Sequence, residues 1–165
     1  MGSGKSSVGN ALSKTLGQQF IDLDHAIEQV EGSSIAELFK KKREIYFRKR
    51  EAAVLFELLS DSENNVLATG GGTPCYGTVM DQLLIQSQSK TIYLKYDVDT
   101  LSRRLFDERE HRPLISHLQS EAELNEFVRK HLFERGFYYN RAEWVIDCTE
   151  LSVEEIVEQI VLKLF

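Results

Sequence analysis

Proline and cysteine are scarce, with two of each in 165 residues, alongside one tryptophan and two methionines. Pro74 and Pro113 cannot make a proline-rich linker, and no Gly/Ser tract or low-complexity run divides the chain. Cys75 and Cys148 lie far apart and match no metal or redox spacing. They exclude a disulfide scaffold and read as free thiols of a reducing cytoplasm. No unbroken apolar run approaches the ~18 residues of a membrane span. Met1-Gly2-Ser3-Gly4-Lys5 has no apolar stretch behind its charge, so it does not read as a signal peptide. Positive charge is in deficit, 20 Lys and Arg against 26 Asp and Glu, for a net charge of −6. That weighs against a general nucleic-acid binder and an anionic membrane surface. A small anionic ligand stays open, because a few clustered arginines can oppose the global sign. What is plentiful is apolar material, 42% of residues, enough for the core of one domain.

Helical and strand-like periodicities alternate along the chain. Lys5–Leu16 reads as a helix with Val8, Leu12 and Leu16 on one face and Gly17 at its end. A strand is expected at 19–23. Ser34 and Glu37 form a capping-box pattern opening a short helix, and a longer helix is expected over about 44–59. Val66-Leu67-Ala68 reads as a strand stopped by Gly70-Gly71-Gly72. Helix is expected over 81–86, strand over 91–94, and helix over 99–108 and 121–133. Trp144-Val145-Ile146 reads as the last strand. Ser152 and Glu155 form a second capping-box pattern before an amphipathic helix carrying Ile156, Val157 and Ile160. Strands separated by helices predict an α/β fold with a central parallel sheet covered on both faces. Ligands of such sheets sit beyond the carboxyl ends of the strands. Three candidate motifs fall there: the first loop, Asp22 with Asp24, and the glycine turn.

Gly2-Ser3-Gly4-Lys5-Ser6-Ser7 carries the second half of the phosphate-loop pattern G-x-x-x-x-G-K-[ST]. Glycines let backbone N–H groups face phosphates, Lys5 supplies a point charge, and the Ser6 hydroxyl can ligate Mg²⁺. The N-terminus of the following helix adds its dipole. The competing reading is a flexible Gly/Ser start. Asp22 and Asp24 flank Leu23 at a strand end, where an extended backbone would point both to one face. Two like charges so close call for a shared cation or hydroxyl substrate; the alternative is a solvated strand end with Asp24 capping the next helix. Arg48 and Glu51 are helix neighbours, which is also the spacing of an ordinary surface ion pair. Arg104, Arg109, Arg112 and Arg135 are ordinary charges when taken singly, although Pro113 fixes a turn after Arg112. His25, His111, His117 and His131 show no ligand spacing.

In order, the chain shows Gly-Ser-Gly-Lys5-Ser6, Phe20-Ile21-Asp22-Leu23-Asp24, Phe47-Arg48-Lys49-Arg50-Glu51, Gly70-Gly71-Gly72, Arg112-Pro113-Leu114 and Arg135 followed by aromatics. This set resembles the shikimate kinase family along essentially the whole chain. The resemblance implies the nucleoside-monophosphate-kinase branch of phosphate-loop folds, with a three-layer architecture around a five-stranded parallel sheet. It implies one kinase domain over 1–165, with substrate-binding helices at about 24–59 and a mobile lid at about 107–120. The implied reaction moves the ATP γ-phosphoryl group to the 3-hydroxyl of shikimate, a step towards chorismate and the aromatic amino acids. ATP is the co-substrate and Mg²⁺ the cofactor. Lys5 is then the phosphate-loop lysine within Gly2–Ser7, and Ser6 and Asp22 are the Mg²⁺ ligands. Asp24 binds the shikimate hydroxyls and accepts the reacting proton. Arg48 and Arg135 grip the carboxylate, Glu51 orients Arg48, and Gly71 and Gly72 contact substrate through backbone. Arg112 is the lid arginine, and Arg104 lies near the adenine. A monomer in the cytoplasm is expected, with no nucleic-acid or membrane partner.

Two departures stand out. After Arg135 the chain reads Gly136-Phe137-Tyr138-Tyr139, where the family usually has x-Pro-Leu-Tyr. The family also enters its phosphate loop from an apolar strand plus a first glycine, and this chain starts inside the loop. The expectation is a natural protein with about eight to ten further N-terminal residues, a usual strand length plus the glycine, and a sheet with a gap beside Gly4 and Lys5. Two rival readings remain: a kinase of another polyol acid such as gluconate, separated by screening acceptors, and a binding module that no longer holds ATP, separated by calorimetry.

Overall fold

The computed structural model describes residues 2–60, 64–112 and 114–165; of His111 only the backbone is described. The turn expected at Pro113 lies outside the described residues. The chain packs as two units, Lys5–Ser89 with Val153–Phe165, and Lys90–Ser152 with the chain start through Gly4.

The first unit holds α1 (Lys5–Leu16), β1 (Gln19–Asp22), α2 (Leu23–Glu31), α3 (Ile35–Ser60), β2 (Asn65–Ala68), a 3₁₀ turn at Thr73–Cys75, α4 (Val79–Leu84) and α7 (Val153–Leu164). β1 and β2 run parallel, with Phe20 opposite Val66 and Asp22 opposite Ala68. Leu23, Ile27, Leu55, Ile156 and Ile160 are essentially sealed from solvent. Each such side chain stabilises the fold by ~1.5–3 kcal/mol relative to exposure. The second unit holds β3 (Ile92–Lys95), α5 (Val98–Asp107), a 3₁₀ turn at Arg109–His111, α6 (Glu121–Tyr139) and β4 (Trp144–Asp147). β3 and β4 are again parallel, with Leu94 opposite Ile146. Leu105, Ile115 and Leu124 anchor its core.

The alternation of parallel strands with helices is as expected. The four strands form two ladders, β1–β2 and β3–β4, and among the described residues no pairing joins them into one sheet. No helix among the described residues is long and apolar enough to cross a membrane.

Local signals account for most boundaries. The Ser34 hydroxyl accepts from the Glu37 N–H at 3.3 Å while the Glu37 carboxylate accepts from the Ser34 N–H at 3.2 Å, so the first capping box is formed. Ser120 and Glu123 form another at the start of α6, which the sequence reading passed over. α6 runs six residues beyond the expected end at 133. Gly136 lies inside it, and Tyr139 in its last turn stacks on Tyr93 with ring centroids 5.2 Å apart. Helix continues through Gly-Phe-Tyr-Tyr because an interior glycine costs only ~1 kcal/mol.

α3 is two helices across a break, as its two sequence signals predicted. At the break Arg43 has φ 69° and ψ 167°, a region populated almost only by glycine. Phe39 and Phe47 pack across it at 4.6 Å between centroids. Arg43→Gly is expected to stabilise the protein by ~1 kcal/mol, the relief of ~1–3 kcal/mol of strain less glycine's greater unfolded-state freedom. Chemical denaturation measures this, with Arg43→Ala as the control that gains nothing. A destabilised glycine variant would mean that the break carries no strain.

Candidate active site

The site is built from the ends of β1 and β2 and the start of α1. Gly2 and Gly4 have φ of 70° and 69°, a left-handed backbone that glycine alone adopts freely. They bring the chain into α1 with Lys5 as its first residue. The positive dipole end of that twelve-residue helix is a ready anion site.

Asp22 ends β1 and caps α2. Its Oδ1 accepts from the Asp24 backbone N–H at 3.1 Å, and its Oδ2 accepts from the Ser6 hydroxyl at 3.1 Å. The extended reading of Asp22-Leu23-Asp24 is therefore corrected: the strand stops at Asp22, and Leu23 and Asp24 belong to the first turn of α2. The capping residue is Asp22, not Asp24: its carboxylate takes the Asp24 N–H, so the helix starts two residues earlier than a cap at Asp24 would start it. The structure does bring together the two residues expected to share a cation. Ser6 and Asp22 offer oxygen donors only, one a carboxylate. This fits Mg²⁺, which takes few protein ligands and completes its shell with water and phosphate.

Asp24 faces the glycine turn. A Cβ built on Gly70 would lie 3.3 Å from Asp24 Oδ1 and 3.1 Å from both Glu51 Oε1 and Thr73 Oγ1. The Asp24 carboxyl is held above the usual carboxylate range, first by the protein packed around it, then by the charges of Asp22 and Glu51, while Lys5 pulls it down. Its outer edge remains open to solvent. A carboxylate so placed is a better proton acceptor than a free one.

Glu51 is 2% exposed. Its Oε2 accepts from Arg48 Nη1 at 2.7 Å, and its Oε1 accepts from the Thr73 hydroxyl at 2.7 Å. Arg48 also reaches Glu44 with its Nε at 3.5 Å and lies 5.2 Å from the Phe47 ring. This is no surface ion pair. The guanidinium is pressed so closely on Gly72 that a Cβ there would sit 2.6 Å from Nη2. Gly71 is the middle of the same turn, and its carbonyl lies 3.8 Å from Cys75 Sγ. The sequence reading named Gly70 only as part of the glycine turn and missed Thr73, whose one signal was its place directly after the glycine run.

In the other unit, Arg104 lies over the Tyr96 ring at 4.5 Å. Arg112 is paired with Glu108 through both Nε, at 3.0 Å, and Nη2. The segment around it is folded back by Ser116 N–H to Arg112 carbonyl and Leu118 N–H to Ile115 carbonyl bonds. Arg135 is on α6, one turn beyond His131, whose pKa is lowered to about 4, mainly by burial and then by Arg135 itself.

A glycine-entered helix start with its lysine, a serine–aspartate pair of oxygen donors, and a part-buried arginine on a buried glutamate beside a second carboxylate define a phosphate-loop kinase acting on an anionic acceptor. The shikimate kinase family model matches residues 1–165. The shikimate kinase of Flavobacterium johnsoniae is 44% identical over 161 residues, covering 97% of this chain and 92% of that protein. The crystal structure of shikimate kinase from Bacteroides thetaiotaomicron is similar with a TM-score of 0.90 and 33% identity, covering 99% of this chain and 93% of that one. That of shikimate kinase from Acinetobacter baumannii in complex with shikimate has a TM-score of 0.83 and 33% identity, covering 99% and 88%. The chain belongs to the shikimate kinase family.

Two outcomes follow from this geometry. Gly72→Ala is expected to push the Arg48 guanidinium off Glu51, so acceptor binding falls and Tm falls with it, because a buried carboxylate loses its partner; calorimetry and thermal unfolding measure the two. Asp24→Asn is expected to raise Tm at pH 7. A carboxyl whose folded pKa is raised is costly to ionise, and that cost exists above the folded pKa and vanishes as pH falls below its ordinary value of 3.8. The stability gap between variant and parent should therefore close on acidification, and a gap that widened would contradict the assignment.

Proposed function

We propose that this chain transfers the γ-phosphoryl group of ATP to the 3-hydroxyl of shikimate, giving shikimate 3-phosphate on the route to chorismate. The observation that carries this reading is the cradle of Arg48 on Glu51 and Gly72, placed beside Asp24. A carboxylate acceptor wants an arginine fork, and a polyol wants a carboxylate that can take a hydroxyl proton. Both are here, Arg48 on α3 and Asp24 on α2, each against the glycine turn that follows β2.

Phosphoryl transfer is mostly positioning and charge neutralisation. Backbone N–H groups of Gly2, Ser3, Gly4, Ser6 and Ser7 cradle the ATP phosphates, and Lys5 places its charge on the terminal ones. Mg²⁺, held by Ser6 and Asp22 when bound, neutralises phosphate charge there. Arg48, fixed by Glu51, and Arg135 grip the shikimate carboxylate, while Gly71 and Gly72 offer backbone contacts. Asp24 orients the 3-hydroxyl and accepts its proton at a carboxylate oxygen as the oxygen attacks phosphorus. Arg112 swings from Glu108 to the transferring phosphate when the lid at 107–120 closes, which excludes water and suppresses ATP hydrolysis. Arg104 lines the adenine side. The same reading makes the protein a cytoplasmic monomer.

A coupled assay with shikimate and gluconate as rival acceptors, ATP and Mg²⁺ tests the proposal; turnover of gluconate over shikimate would overturn it. Lys5→Ala is expected to lose several kcal/mol of transition-state stabilisation, the scale of other preorganised electrostatic groups, with shikimate binding nearly intact. Retention of about a tenth of the activity, only ~1.4 kcal/mol, would remove Lys5 from this role.

A further inference from the structure

The hydroxyl of Thr73 is a part of the site that the reaction scheme above does not use. Thr73 is 1% exposed and starts the 3₁₀ turn that follows the glycines. Its N–H donates to the Gly70 carbonyl at 3.1 Å. Its hydroxyl donates to Glu51 Oε1 at 2.7 Å, and that bond is buried. The two oxygens of Glu51 are thus pinned from opposite sides, Oε2 by Arg48 on its own helix and Oε1 by the glycine turn. A carboxylate held by only one of these bonds would be free to turn about its terminal torsion, which is broad for glutamate. Held by both, it has one orientation, and so has the guanidinium pressed against Gly72.

We infer that Thr73 is a positioning residue for the acceptor site, fixing Arg48 through Glu51 so that the guanidinium fork meets the substrate carboxylate preorganised. The inference rests on the functional reading above for the identity of that substrate, but not for the coupling of Thr73 to Arg48. Valine keeps the shape of threonine and removes the donor, which leaves Oε1 buried without a partner. Losing a bond to a charged group costs ~1.5–3 kcal/mol, and leaving its partner buried and unsatisfied costs a similar amount. Binding feels only the share transmitted through Arg48. The effect on the acceptor is therefore expected to be roughly tenfold rather than complete. Nucleotide binding is expected to be unaffected, because no phosphate-loop residue enters the chain from Thr73 through Glu51 to Arg48.

The test compares Thr73→Val and Thr73→Ser with the parent chain. Thr73→Val should raise KM for shikimate about tenfold, leave KM for ATP within about twofold, and lower kcat less than kcat/KM. Thr73→Ser, which keeps the hydroxyl, should restore the parent values. The second readout needs no turnover. The guanidinium ¹⁵N and ¹H signals of Arg48 should be sharp in the parent, where Nη1 is held by Glu51, and broadened in Thr73→Val by faster rotation. Should the valine variant fail to fold, Thr73→Ala carries the same two measurements. Unchanged Arg48 signals, or KM values for shikimate and ATP that rise together, would overturn the inference. A parent chain that does not phosphorylate shikimate would defeat the functional reading alone, and the Arg48 signals would then decide this one.

Discussion

The acceptor side of this protein depends on one buried carboxylate. Glu51 is sealed from water, and an ion there is tolerable only when both oxygens are satisfied. Arg48 and Thr73 satisfy them. The geometry of the rest follows. Arg48 must come close to the glycine turn, so position 72 must lack a side chain. Thr73 must sit where its hydroxyl reaches back to α3, so the turn must tighten directly after the glycines. Position 70 must stay open, because Asp24, Glu51 and Thr73 converge on it. Glycine at positions 70 and 72 is the consequence of packing two acids, an arginine and a hydroxyl around one turn.

A second carboxylate organises the nucleotide side in a different way. Asp22 is a structural cap and a ligand candidate at once, since one oxygen starts α2 and the other holds Ser6. Starting the helix at Leu23 also aims Asp24 at the glycine turn and away from Ser6. Had the strand continued through residue 24, both acids would share a face and compete for one cation. Ending it at Asp22 gives the two acids different surroundings, one on Ser6 and the α2 cap, the other by the glycine turn, as the roles proposed for them require. The different environments of the two acids are the usual way in which paired carboxylates are given distinct roles.

How much of this was legible in the sequence depends on whether the controlling contact is local. α1 is read to the residue, from Lys5 to Leu16, because glycine flanks both ends and the apolar period is regular. The break in α3 is legible as the space between a capping box at Ser34 and a second helical run from Glu44. The end of α6 is not, since Gly136 resembles a stop signal and the contact that holds its last turn, Tyr139 on Tyr93, comes from a strand some 45 residues away. Arg48 and Glu51 have the spacing of a surface pair, and nothing local says that they are buried. Their burial is set by the turn at 70–73, which only the fold brings to α3. For the same reason Thr73 is invisible in the sequence, where it is one more polar residue after a glycine run. The family resemblance supplied roles for Arg48 and Glu51 that periodicity could not, and it was silent on Thr73.

Residues with a strong energetic conflict and no local cause are the ones to weigh for function. Asp24 is the clearest. Desolvation and three neighbouring acids, Asp22, Glu51 and Glu28, all oppose its charge, while Lys5 favours it. A fold selected for stability alone would place an asparagine or serine there, which would keep a polar group in the first turn of α2 at no electrostatic cost. Glu51 is the contrasting case. It is more deeply buried, yet each oxygen has a donor, so its charge is part of the architecture. Asp24 keeps an open edge and, among the described residues, has no such matched pair of donors. In the reaction proposed above, the acceptor hydroxyl relieves the conflict at Asp24, which is the physical sense in which such a site is built for binding before chemistry. An arginine already fixed on Glu51 lets the incoming carboxylate dock without reorganising the site. On the same proposal the hydroxyl meets Asp24, whose raised pKa suits it to take a proton.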